Sequence, residues 1–530
     1  MEMSRQHGIG ERSRLSRAAM LLIMVAHAGA AAAQAAPARF DVNEYVVRGN
    51  TVLDAVEIET SIEPFLGPDR SVDDVQAARA ALEKRYQDRG YQSVVVELPE
   101  QRVTGGVVVL QVVETRVGRL RVVGAEHYSP AMVRDAVPSL AEGGVPDFNA
   151  AQQQLTSLNT TPNRQVVPMV RPGSLPQTVD VELKVEDHNP LGGSVSLNND
   201  HSVDTHALRA SATLSHDNLW QRGHQASVTF FGAPQALSEA RVWSFSYLAP
   251  FRNSPFSVQA TGYTSDSNVA TVGGTSVLGN GYAVGLQGNY ALPQTGDWTG
   301  SVGLGFDFKD LKEKVSLGGS SSDVPIHYVP MTLSFNGYRF SERSQSALAL
   351  SAVMGTGIGS GAQDFGAKRY RASPDFMYLK ADGSHTQTLG SGAQLYARGA
   401  AQVSSGPLVS SEQFAAGGAT SVRGYYSAEA TSDNGVLGSL EVRSPSYADW
   451  LWAGVDEWRV YGFLDAATLR LKDPLPEQRR SYTLLGVGFG TSFRMYRAVT
   501  GKLDFGWPLR DAQRTEAGSL TVNFNVRANF

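Results

Sequence analysis

The chain has 530 residues, with 46 Lys plus Arg against 51 Asp plus Glu, a formal net charge of −5. That balance leaves no basic excess for neutralising phosphates, so nucleic acid is not an expected partner. With no cysteine, disulfides, thiolate metal sites and cysteine nucleophiles are excluded. Hydrophobic residues make up 42 % and the mean hydropathy is −0.20, unlike a helical membrane protein, whose every span needs about 20 mostly apolar residues.

The single long apolar stretch runs from Ala18 to Ala33, after an arginine-bearing segment with Arg5, Arg12, Arg14 and Arg17. Ala31-Ala32-Ala33 and Ala33-Gln34-Ala35 each fit an A-x-A cleavage site, which predicts a removed export signal over residues 1–35.

Residues 40–114 read as a compact α+β module. Tyr45-Val46-Val47 is a strand closed by the turn dipeptide Gly49-Asn50. A helix is predicted over Leu53–Phe65, and a second from Ser71 with Asp73 and Asp74 in its first turn. Val75, Ala78, Leu82 and Tyr86 form its apolar face, and Gly90 ends it. Strands over 93–98 and 107–113 follow. Residues 115–187 repeat the order: a strand over 117–123 ending at Gly124, Ser129-Pro130 opening a helix whose face is Val133, Ala136, Val137 and Leu140, a second helix marked by Phe148, Leu155 and Leu158, then strands over 166–170 and 179–185.

After Pro190 helical periodicity vanishes, and apolar residues alternate with polar ones in stretches of about ten, the signature of a transmembrane barrel with one face to lipid and one to water. Residues 188–530 hold sixteen such stretches by this reading, and an even number returns the chain to the side on which it entered. The last is the most regular: Leu520, Val522, Phe524, Val526, Ala528 and Phe530 share a face opposite Thr521, Asn523, Asn525, Arg527 and Asn529. Alternation also sets Arg209, Arg398, Glu441, Arg443, Lys502 and Asp504 toward a wet lumen. The fold expected is therefore an all-β transmembrane barrel of about 16 antiparallel strands behind two α+β domains.

The longest stretch without a strand pattern, Ser404 to Gly435, carries Ser411-Glu412-Gln413-Phe414, Gly417-Gly418 and Ser421-Val422-Arg423-Gly424-Tyr425. A loop of that length is uncommon and usually functional. Its wording resembles the L6 loop of the Omp85 superfamily, and Phe463-Leu464-Asp465 resembles the family's F-x-D wall motif. The resemblance implies a loop folded into the lumen with Arg423 paired to Asp465, a latch formed by Val422, Arg423, Gly424, Tyr425, Phe463 and Asp465. Gly49-Asn50-Thr51, Gly90-Tyr91 and Gly124-Ala125 resemble the turns of POTRA domains, and Asp217-Asn218-Leu219-Trp220 resembles a segment of the same transporters. The terminal Phe530, with Phe524 and Val526, resembles the signal by which barrels are recognised for insertion, which implies barrel-assembly machinery as a partner during biogenesis.

Taken over the mature chain, the pattern resembles the TpsB transporters of two-partner secretion, the hemolysin secretion/activation type. That implies an outer-membrane location with POTRA domains in the periplasm, contact with outer-membrane lipid, and passage of a large secreted exoprotein client. Some members carry a plug helix ahead of the first module; only a handful of residues separate the expected cleavage site from Phe40, so either gating rests on L6 and other segments or the family's plugging scheme does not apply here. An Omp85 insertase is the rival, although such proteins usually carry three or five modules. A barrel hydrolase lacks support, since no G-x-S-x-G or H-E-x-x-H occurs, and with no G-x-x-x-x-G-K-[ST] loop no cofactor is expected.

Overall fold

The structure, a computed structural model, describes residues 39–159, 163–203, 205–252, 254–267, 270–272, 276–278, 280–312, 314–317 and 320–530. The expected export signal lies outside them. The chain forms two compact units, one up to Glu114 and one from Thr115 onward.

In the first unit Glu44–Arg48 pairs in parallel with Val107–Glu114, which pairs antiparallel with Val94–Glu97. Helices α1 (Ala55–Ile62) and α2 (Val72–Asp88) belong to the same unit. Valine-rich alternation explains the sheet: Val108, Leu110 and Val112 are buried, on one side of their strand. The helix predicted to run to Phe65 stops at Ile62 and continues as the 3-10 turn Glu63–Phe65, because Pro64 has no N–H for an α-helical bond. Helix α2 opens on a reciprocal capping box between Ser71 and Asp74, and its buried residues are Val75, Ala78, Leu82 and Tyr86. The Arg89 guanidinium, with that of Arg85, holds the Glu57 carboxyl below the usual carboxylate range. A small antiparallel pair, Phe40–Val42 with Gly67–Arg70, has no counterpart in the sequence reading.

The second unit begins with the same arrangement: Arg116–Val123 parallel to Thr178–Asp187, which pairs antiparallel with Arg164–Pro172. The helix face predicted through Leu140 is broken. Helix α3 covers only Pro130–Asp135, Pro138 prevents its continuation, and Leu140 sits on a separate 3-10 turn. Val133, Val137 and Leu140 nevertheless share one core with Leu155 and Leu158 of α4 (Phe148–Leu158). Gly49 and Gly124 close the first strand of each sheet with φ of 85° and 80°. A Cβ there would lie 2.4 Å from the Val112 carbonyl oxygen or 2.5 Å from that of Val185, so both turns require glycine.

From Leu191 onward, the described residues form a closed barrel of sixteen antiparallel strands, each hydrogen-bonded to its neighbours. The first, Leu191–Asn198, pairs with the last, Thr521–Asn529, and closure satisfies every edge as a bilayer demands. Both chain ends of the barrel lie together, since the Gly193 and Phe530 amides donate to each other's carbonyls at 2.8 and 3.0 Å. Residues alternate between faces. On the twelfth strand, Asn434–Arg443, Val436, Leu440 and Val442 are 59–64 % exposed while Ser439 and Glu441 are nearly buried. The outer face is the apolar band that contacts lipid. The region read as a strandless loop contains a 3-10 turn (Ser410–Glu412) and two short paired strands, Phe414–Ala416 and Ala430–Ser432. Between the ninth strand, Ser344–Gly359, and the tenth, Met377–Thr388, a short helix α5 (Ala362–Lys368) was not legible as such.

Candidate functional site

Residues 405–433 fold back against the inner wall of the barrel, and about two thirds of them are buried. At the innermost point the Arg423 side chain, 5 % exposed, meets Asp465, 0 % exposed, on the thirteenth strand, Val455–Arg470. Nε and Nη2 donate to the two carboxylate oxygens at 2.7 and 2.8 Å, and the Arg423 amide adds a third bond at 3.1 Å. The fork matches the carboxylate in plane, a geometry only arginine offers. The guanidinium lies 3.5 Å from the centroid of the Phe463 ring, so one cation is both stacked and bidentate.

Asp465 is not its only partner. Nη1 donates to Glu441 at 2.7 Å and approaches Asp504 at 3.5 Å, and Ser439 bridges to both Arg423 and Asp465. Asp504 in turn accepts from the Tyr461 hydroxyl at 2.8 Å, and Glu441 accepts twice from Arg443. Thus three carboxylates from strands twelve, thirteen and fifteen (Val499–Pro508) converge on Arg423. Glu441, Asp504 and Arg443 were expected in the lumen, but alternation could not reveal that they share a partner.

The neighbours of Arg423 complete the fit. Val422 packs in an apolar cluster with Phe414, Leu437, Leu469 and Leu484. Gly424 has φ of 97°, and a Cβ on it would lie 2.9 Å from the backbone nitrogen of Pro508. The Tyr425 hydroxyl donates to the Arg510 carbonyl at 2.8 Å and accepts from the Leu485 amide at 3.2 Å. On the wall, Gly486 is required for contact: a Cβ there would lie 2.1 Å from the Arg423 carbonyl oxygen, a backbone atom with little room to move. Gly486→Ala is therefore expected to displace the loop tip with every charge intact. Single-channel conductance of the purified protein should then resemble that of an Arg423 variant; unchanged conductance counts against the fit.

The base of the loop has a second anchor that sequence reasoning missed. Glu412, 1 % exposed at its side chain, accepts from Lys309 at 2.6 Å, Tyr328 at 2.5 Å and Tyr378 at 2.8 Å. These come from strand seven (Trp298–Leu311), strand eight (Ile326–Phe340) and strand ten. Asp433 at the loop's far end pairs with Arg369 at 3.0 Å and accepts from the Leu408 and Lys472 amides. The available signal was parity, which sets Lys309 inward beside outward Phe306 and Phe308.

At the opposite end of the site's strand series, Val526 of the last strand and Phe530 just beyond it are exposed and Phe524 is half-buried. Among the described residues no group of three His, Asp or Glu side chains is placed to hold a metal ion.

Residues 177–493 match the family of haemolysin secretion/activation proteins ShlB/FhaC/HecB, and residues 40–115 match the POTRA domain of ShlB type. An outer membrane transporter CdiB from Dickeya dadantii is 32 % identical over 135 residues, 26 % of this chain; the aligned segment spans 24 % of that relative's length. The solved CdiB from Escherichia coli superposes with a TM-score of 0.69 at 22 % identity, covering 94 % of this chain and 92 % of that one. CdiB from Acinetobacter baumannii gives 0.65 at 16 % identity, covering 93 % and 90 %. At these identities the two structures speak for the fold.

Proposed function

The chain belongs to the ShlB/FhaC/HecB haemolysin secretion/activation family, and from that premise we propose that it exports a large exoprotein client from the periplasm to the cell surface. The protein resides in the outer membrane, with its POTRA domains in the periplasm. One observation carries the reading of the barrel as a conduit: the loop 405–433 occupies the lumen and is held by polar contacts that can break and re-form, chiefly those of Arg423 with Asp465.

The physical steps follow from the parts. The first and second modules, 40–114 and 115–187, each offer sheet edges to which an extended client can add a strand, with main-chain bonds supplying affinity at low sequence cost. The lumen then has to be vacated. Val422, Arg423, Gly424 and Tyr425 form a latch on the wall that carries Phe463 and Asp465; transport needs it to release and then dock again, so a loop that cannot dock does not support export. Charged side chains such as Arg398, bonded to Asp382 at 2.7 Å, keep the wall hydrated for an unfolded chain. Folding of the client outside the cell supplies direction, since no nucleotide site is implied by the sequence. Phe524, Val526 and Phe530 serve earlier, as the insertion signal read by the barrel-assembly machinery.

The insertase alternative predicts a different phenotype, which makes the test direct. Deleting the gene should remove one large, β-repeat-rich exported protein from the medium while other outer-membrane barrels assemble normally. General depletion of surface barrels, with no single client lost, would replace the transporter reading.

A further inference from the structure

The segment Asp217-Asn218-Leu219-Trp220 plays no part in the lumen site. It ends the second barrel strand, Arg209–Leu219, and begins the turn into the third, His224–Gly232, at the end of the barrel that carries the second module. Trp220 and Gln221 have φ of 61° and 54°, and the Arg222 amide donates to the Leu219 carbonyl at 3.2 Å. Two successive left-handed residues closed by such a bond make a type I′ turn, which Asn-Gly forms at least cost. This chain places Trp-Gln there instead. Strain of that kind persists where surrounding contacts over-determine it.

The contacts are to the second module. Asp187 accepts from three successive amides, Glu126, His127 and Tyr128, at 2.9–3.2 Å. The fourth amide, that of Ser129 at the entry to α3, donates to Gln221 Oε1 at 2.9 Å, across 92 residues of sequence. Gln221 Nε2 returns a bond to the His127 carbonyl at 3.1 Å. Asn218, 2 % exposed, aims this amide: its Nδ2 donates to Gln221 Oε1 at 2.8 Å and its Oδ1 accepts from the Gly223 amide. Asn163 of the module donates to Asp217 at 2.9 Å, and Arg252, on the next turn of the same rim, pairs with Asp135 at the end of α3.

We propose that Gln221, held in a strained turn by Asn218, is a positioning residue that locks the second POTRA module onto the barrel rim, with Arg252–Asp135 as its second point, so that a client leaving the module is aimed at the lumen. The first half concerns geometry alone; the aiming rests on the transporter reading above. The turn keeps its costly Trp-Gln because glycine would relax the backbone and delete the amide that docks the module.

The absence of native cysteine makes the test clean. Spin labels on cysteines introduced at Gln165 of the module and Glu342 of a barrel turn, both exposed, report their separation in the full-length protein by double electron–electron resonance. The parent should give one narrow distance distribution. Gln221→Gly combined with Arg252→Ala should broaden it and lower client secretion at least tenfold, while heat-modifiable mobility of the barrel and its conductance stay unchanged. Adding Asp135→Arg to the variant Gln221→Gly/Arg252→Asp should narrow the distribution again by re-forming the pair with its charges exchanged. A distribution that stays narrow in the double variant overturns the lock, and broadening with full secretion overturns the aiming. A turn of purely structural role predicts undiminished secretion from Gln221→Gly, since the substitution relieves strain. Failure of the parent itself to secrete any client would instead count against the transporter reading, and the distance measurement would still decide the lock.

Discussion

Arg423→Ala is expected to abolish most client export while leaving the barrel inserted and folded. The substitution removes the cation that three carboxylates face, Asp465, Glu441 and Asp504, and leaves them with Arg443 as the remaining bonded counter-charge. Breaking a buried pair from one side costs about 3–5 kcal/mol, because the orphaned charge keeps its desolvation penalty. At 1.4 kcal/mol per factor of ten, the docked loop loses about two to three and a half decades of population. Asp465→Ala should be milder, since Arg423 keeps Glu441. The double variant Arg423→Ala/Asp465→Ala should lose no more export than Arg423→Ala alone, as the two side chains act as one unit. Arg423→Lys should not rescue, because an ammonium cannot span two oxygens of Asp465, reach Glu441 and stack on Phe463 together. Export of the client and single-channel conductance read both effects. Strictly additive losses in the double variant, or full export from Arg423→Lys, would sink this account of the latch.

The second large effect is expected at Glu412, and it should differ in kind. Glu412→Ala strips Lys309 of its paired carboxylate and removes the carboxylate to which the Tyr328 and Tyr378 hydroxyls donate, within the same enclosed cluster. The penalty is again about 3–5 kcal/mol, but it falls on the root of the loop. The barrel should therefore unfold at lower temperature, which Arg423→Ala at the loop tip should not cause to the same degree. Glu412→Gln keeps an acceptor of the same shape and should recover part of the loss. Because Glu412 and Arg423 share no partner, their variants should combine additively in thermal unfolding. Coupling between them would mean that root and tip move as one body, and that the positive-φ pair Gly417-Gly418 is not a hinge between two independent anchors.

What alternation can express was legible in the linear chain. A strand puts every second residue on one face, so Glu441, Arg443 and Asp504 could be set toward the lumen from alternation alone. The modules were legible because capping chemistry and 3.6-residue spacing are local: Ser71 with Asp74, then Val75, Ala78, Leu82 and Tyr86. Errors arose where one residue overrode a pattern, as Pro64 and Pro138 did in shortening helices whose apolar spacing continued past them. The short strands inside the loop escaped because three-residue segments carry no periodicity to count.

By itself, then, the sequence determined that this protein is free of disulfides, carries two α+β modules and forms a barrel, since each property follows from composition or from spacing within about ten residues. Only the tertiary structure decided that Glu441 and Asp504 share Arg423 with Asp465, that Glu412 anchors the loop's root, and that Gln221 reaches the second module. Those contacts join residues up to about a hundred positions apart. Strand parity states which face a side chain occupies, but which faces meet depends on register, on loop path and on the closure of sixteen strands, none of which is encoded within a short window.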